Sequence, residues 1–140
     1  MSRADFDLSD IKDTREVLPA GTYHVMVDDM TSEIARTGNP QIKFVWKILD
    51  GEHMGRTQWD FVVLLHNTLW KLKRIMKALE IPNDHADIDT DNRTINGYDV
   101  LGRTCYITTR VGKNQSGEAR AEVINWIPVS EINDEGTMPF

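Results

Sequence analysis

Over residues 42–49 the chain alternates strictly: Ile42, Phe44, Trp46 and Ile48 share one face of an extended segment, and Lys43, Val45, Lys47 and Leu49 the other. A period of two marks a strand with one face on a core, because successive side chains leave the backbone on opposite sides. The period recurs over residues 22–27, with Tyr23, Val25 and Val27 on one face, and continues less regularly to about Ile34. It returns over residues 57–65, 104–111 and 119–127. Gly, Pro, Asn and Asp punctuate the strands at Leu18-Pro19-Ala20-Gly21, Arg36-Thr37-Gly38-Asn39-Pro40, Asp50-Gly51 and the loop 112–117. One stretch has the period of a helix. Leu69, Leu72, Ile75, Met76 and Leu79 form its apolar stripe, and Lys71, Lys73, Arg74 and Lys77 its wet face. Asn67 or Thr68 is placed to cap it and Ile81-Pro82-Asn83 to end it. A polar acidic loop and a short apolar segment, 95–101, then lead to the fourth strand.

The order is three strands, a helix and two strands. The reading is all-β with one helix, in the order of the OB-fold, a five-stranded, partly open Greek-key barrel with its helix between strands three and four. A meander packed on one helix gives a similar string. Chains with the OB order bind oligonucleotides across strands two and three and the loops after strands one and four. At 140 residues the chain holds one such domain, expected over 19–128, between an acidic arm at 1–18 and an acidic tail at 129–140.

Charge is distributed to match. Residues 1–35 carry three basic and eight acidic side chains, residues 36–120 thirteen and ten, and residues 121–140 none and four, for a total of −6. The overall sign argues against a nucleic-acid partner, but the mildly basic middle can receive an anion. No apolar run is long enough to span a bilayer and residues 1–5 show no apolar signal region, so a cytoplasmic protein is expected. The single Cys105, in an apolar run, reads as a small buried hydrophobe.

A single-strand binder needs cations along the phosphates and flat side chains under the bases. Lys43 and Lys47 lie opposite the apolar face of strand two, and Arg56 precedes strand three. Tyr106 shares the polar face of strand four with Thr104, Thr108 and Arg110, which makes it the first stacking candidate. Trp46 and Trp59 share faces with apolar residues and read as core aromatics; Trp59, close to the start of its strand and to Arg56, is the better platform of the two. Arg36 and Asn39 in the first loop, Lys113, Asn114 and Gln115 in the last, and Arg120 beyond it are the natural clamps.

At the other end, Glu131, Asp134 and Glu135 precede Met138-Pro139-Phe140. This resembles the tail of bacterial single-stranded DNA-binding proteins, which ends in acids followed by Pro-Phe and docks replication and repair partners; here Gly136-Thr137 separates the acids from the end. The resemblance implies a partner-binding tail of Asp134, Glu135, Met138, Pro139 and Phe140. A second resemblance covers nearly the whole chain. Phe6-Asp7-Leu8-Ser9, Leu18-Pro19-Ala20-Gly21-Thr22-Tyr23, Gly38-Asn39-Pro40, Leu49-Asp50-Gly51-Glu52 with Gly55-Arg56, and Leu69-Trp70-Lys71-Leu72 are similar to a bacteriophage family filed as a domain of unknown function. Its members sit among replication and recombination genes, which implies single-strand binding and supplies no site residues.

Competing chemistries are weaker. Asp87, Asp89 and Asp91 imitate the start of an EF-hand loop, but Asn92 replaces its Gly and Tyr98 its Glu. His24, His53, His66 and His85 lack metal-ligand spacing, and no Walker loop or GxSxG is present. The expectation is therefore a sequence-independent single-stranded DNA-binding protein, not an enzyme, with no cofactor or metal and with homo-oligomers left open. The alternatives are an OB module that grips a polypeptide, for instance in host defence, and a metal-dependent nuclease using Asp60 with Asp50 and Glu52.

Overall fold

The computed structural model describes residues 3–7 and 17–132. Three long strands open the fold: β1 (Gly21–Ile34), β2 (Pro40–Ile48) and β3 (Thr57–Val63). A single 3-10 turn, His66–Thr68, leads into α1 (Leu69–Ala78). Three two-residue strands follow, β4 (Ile88–Asp89), β5 (Thr94–Ile95) and β6 (Tyr98–Asp99), and then two long ones, β7 (Thr104–Lys113) and β8 (Ala119–Ile127). The long strands form an antiparallel sheet in the order β3-β2-β1-β7-β8, and the short ones a separate antiparallel sheet, β4-β5-β6.

Alternation builds the core. Ile42, Phe44, Trp46 and Ile48 are all buried, as are Val25 and Val27, Cys105 and Ile107 on the facing rows of the sheet. The weakening of the pattern in β1 has a local cause. The pairing with β2 shifts register between Val27 and Asp29, so the next inward side chain is Met30, three residues on instead of two. A second shift, between Thr108 and Thr109, leaves Ile124 exposed as the extra residue of β8. Leu72, Ile75, Met76 and Ala78 seal the core from α1, which packs against β3 and β8. Truncating a fully buried side chain such as Ile75 to Ala costs about 2–5 kcal/mol.

The expected strands and helix are present in the expected order, but among the described residues no backbone ladder joins β3 to β8 and the barrel is not closed. Side chains bridge the two strands instead: Gln58 Nε2 donates to the Ala121 carbonyl at 3.1 Å, and Trp126 Nε1 to Asp60 Oδ2 at 2.8 Å. With side chains standing between them, the two backbones do not share the 4.7–4.9 Å spacing of a ladder.

Other expectations shift as well. The small sheet β4-β5-β6 occupies what reads as a polar loop and an apolar segment. Thr68 stands at the N-cap without a capping bond; its hydroxyl donates to the Val63 and Leu65 carbonyls at 2.7 and 2.9 Å, tying the turn to the end of β3. Lys71 is not on the wet face, because its ammonium is held at 2.7 Å from the buried Asp60. Tail residues Asp134, Glu135, Met138, Pro139 and Phe140 lie outside the described residues. No helix among the described residues is long and apolar enough to cross a membrane.

Candidate functional site

The outward face of β2 and β3 is set by their register. Lys43 pairs with Phe61, Val45 with Trp59 and Lys47 with Thr57, so these six side chains share the face opposite the core. Trp59 is 57% exposed, far from the core position its apolar neighbours suggested, whereas Trp46 is fully buried as a core aromatic. The exposed indole is held, not loose. Lys43 Nζ lies 4.3 Å from its ring centroid, and Phe61 meets it edge-on at 6.3 Å and 87°. A cation–π contact at an exposed site contributes about 0.5–1 kcal/mol, enough to bias one orientation of the ring.

Two concavities flank this platform. One, of about 560 Å³, is lined by Trp59, Phe61, Thr57, Gln58, Ala121 and Arg120. The other, of about 390 Å³, is lined by Arg36 from the β1–β2 turn, Asn114, Gln115 and Ser116 from the β7–β8 turn, and again Arg120. Arg120 lines both. The turns themselves are stiff. Gly38 at φ +89° closes the first, where its N–H donates to the Ala35 carbonyl at 2.8 Å. Asn114 Oδ1 accepts from the amides of Ser116 and Glu118 in the second, so Asn114 shapes the turn while Gln115 stays exposed.

The nine residues expected to bind are therefore not one group. Lys43 lies over Trp59, Arg120 lines the Trp59 concavity and shares a second one with Arg36, and Lys47 continues the row along β2. Arg56 does not stand beside Trp59. Alternation sends it to the opposite face, where its guanidinium is 3.4 Å from His53 Nδ1. Tyr106 is half-buried with one ring face on His24, at 4.7 Å and 15°, so it offers less surface than an open platform. Arg110 is engaged by Glu122 at 3.1 Å. Lys113, paired with Ala119 at the end of β7, lines neither concavity. Phe61 is the residue that sequence reasoning missed. Its alternation with the inward Asp60 and Val62 was the available signal.

Asp29 is the nearest acid on β1, opposite Val45. Burial works against its ionisation, but hydrogen bonds from Arg93 and the Met30 amide, with the charges of Arg93 and Lys43, outweigh it and hold the carboxyl below its ordinary range. Arg93 Nε sits 3.1 Å from Asp29 Oδ1 and offsets the negative charge beside the cationic row. Burial, reinforced by the charge of Asp60, pushes the Cys105 thiol up to about 12, so it is no nucleophile near neutral pH. Among the described residues no three His, Cys, Asp or Glu side chains gather as metal ligands. The EF-hand imitation is a turn: Asp89 accepts from the backbone and side-chain amides of Asn92 at 3.0 and 2.8 Å.

Residues 4–133 match the model of a family described as a protein of unknown function (DUF669). No curated protein matches the chain.

Proposed function

Because the chain belongs to the DUF669 family, whose description names no activity, function is argued from the site, and we propose that it binds single-stranded DNA without sequence preference. The observation that carries the proposal is the exposed Trp59 with Lys43 over its ring and Arg120 in the same concavity, beside a second concavity that Arg120 shares with Arg36. An exposed indole gives a base a face to stack on, and cations on both sides give its phosphates partners. Stacking tolerates every base, which supports the lack of sequence preference. The strand order supports an OB-type reading: β3-β2-β1-β7-β8, with α1 between β3 and β7, is that barrel opened between its third and fifth strands. Its oligonucleotide face would then be the β2–β3 surface and the two turns that meet at Arg120.

Two further parts of the proposal rest on the sequence resemblances. The setting is phage replication or recombination, and the acidic tail ending in Met138-Pro139-Phe140 recruits partner proteins there.

Titration of tryptophan emission with oligo-dT tests the reading. Trp46 and Trp126 are buried, so quenching reports on the exposed Trp59 and Trp70. Trp59→Ala should weaken binding by about 1–3 kcal/mol with little change in melting temperature, and Trp70→Ala should keep both affinity and most of the quench. Equal binding of duplex, or a Trp59→Ala variant with unchanged affinity, would sink the proposal.

A further inference from the structure

Away from the proposed DNA face, the flank of α1 borders a groove. Leu69, Leu72 and Met76 of the helix, with Leu64 before it and Ala86 and Ile88 after it, give an apolar floor to a concavity of about 610 Å³. That volume suits a bulky side chain and the backbone around it. Trp70 and Lys73 stand at its edge, and Trp70 is 54% exposed.

The surroundings select the sign of an occupant. The ten residues of α1 include four basic and no acidic side chains. Lys71 is engaged by Asp60, but Lys73, Arg74 and Lys77 are exposed, and Asp84, the carboxylate of the lining, lies 3.3 Å from His85 Nδ1. In a chain of net −6 this is a local excess of positive charge beside apolar surface. It fits a peptide that carries an acid next to a large apolar side chain.

The chain contains such a peptide. We propose that the groove on α1 receives Asp5-Phe6 of a second copy of this chain. Phe6 is 77% exposed in its own molecule, so its own groove does not hold it. Asp5 beside it would meet Lys73 when the ring enters among Leu69, Leu72 and Met76. Phe6 lies twelve residues before Leu18, which is buried in the core, and an extended segment of that length spans up to about 40 Å, enough to reach a neighbour. The donor and acceptor surfaces differ, so copies pair by exchanging arms or join head-to-tail into rings or open chains.

Sedimentation of the full-length protein over a range of concentrations tests this. The wild type should grow from monomer to larger species as concentration rises, with a blue shift of Trp70 emission in step. Phe6→Ala and Lys73→Glu should each sediment as the monomer at every concentration, with unchanged melting temperature. Asp5→Lys should weaken assembly, and joining it to Lys73→Glu should restore it. A wild type that stays monomeric, a Trp70 shift independent of concentration, oligomers that persist in Phe6→Ala, or a charge exchange that restores nothing would each overturn the proposal.

Discussion

Asp60 is a carboxylate with 3% exposure in the middle of an apolar core, and it is fully partnered. Its Oδ2 accepts the indole N–H groups of Trp46 at 3.1 Å and Trp126 at 2.8 Å, and its Oδ1 lies 2.7 Å from Lys71 Nζ. One side chain thereby ties β2, β8 and α1 to β3. Lys71 also donates to the Phe61 carbonyl at 2.7 Å, which anchors the helix to the strand that carries the exposed platform. Asp60→Ala would leave two buried indole donors without their acceptor and the Lys71 ammonium without its countercharge, holding only the Phe61 carbonyl, and its cost should be about 3–5 kcal/mol in urea denaturation. Lys71→Met should cost less, since the two indoles still satisfy the carboxylate and the methionine stem still packs. If Asp60→Ala unfolded at the wild-type midpoint, the network would be incidental to stability. None of this was legible. A charged residue inside an alternating strand reads as facing water, and Asp60 drew notice as part of an acidic cluster with Asp50 and Glu52. Its donors stand on β2 and β8, and the sequence does not say that those strands bring two indoles to one carboxylate.

Elements whose signals are local were read closely, and those shaped by distant contacts were not. The strand expected over 119–127 is β8, and the one expected over 42–49 is β2 displaced by one or two residues, because alternation alone determines both. The helix was legible from its stripe, although Leu69, counted in that stripe, is 39% exposed at the edge of the groove. Asn96-Gly97 was a signal passed over. It links β5 to β6 as a two-residue turn with φ of 54° and 81°, the conformation that this pair favours in hairpins. The end of α1 carries a sharper test. The Ile81 amide donates to the Met76 carbonyl at 2.9 Å and the Glu80 amide to Lys77 at 3.0 Å, a Schellman arrangement with Ile81 and Met76 both buried. Glycine usually takes the left-handed position of this motif, yet Glu80 holds it at φ 60°. Glu80 is exposed, and none of the side-chain hydrogen bonds or ion pairs described here involves it, so Glu80→Gly should relieve the strain and stabilise the protein by about 0.5–1 kcal/mol. An unchanged or lower melting temperature would show that the glutamate is favoured there for another reason.

At the scale of the molecule, the proposed function asks a protein of net −6 to hold a polyanion, and charge location decides whether it can. The sequence placed Arg36 in the β1–β2 turn and Lys43 and Lys47 on β2, because turn residues and outward strand positions are visible in a string, but it put Lys113 in a loop where that residue ends β7. It could not tell which of them share a surface, since that depends on how the sheet brings the β1–β2 and β7–β8 turns together. The structure sets Lys43 over Trp59 and Arg120 in the same concavity, puts Arg36 with Arg120 in the next and Lys47 along the row, while Arg110 is paired and Lys113 lines neither concavity. This division sets a quantitative expectation. Each phosphate neutralised on a single strand releases counterions worth a slope of about 0.7 in log affinity against log salt. Four cations therefore predict a slope of roughly 2.8, and a fourfold rise in salt should weaken binding by about 50-fold. Replacing Arg36 and Arg120 together by Ala should lower the slope by about 1.4, whereas Lys113→Ala should leave it in place. The acids of the arm and tail act at longer range and are screened within about 10 Å at 0.1 M salt, so they shift the low-salt end of the plot more than its slope above that concentration. A slope near zero would remove phosphates from the account altogether. A slope that falls equally for Lys113→Ala and for Arg120→Ala would mean that the strand runs over the outer edge of β7 and not through the two concavities that Arg120 lines.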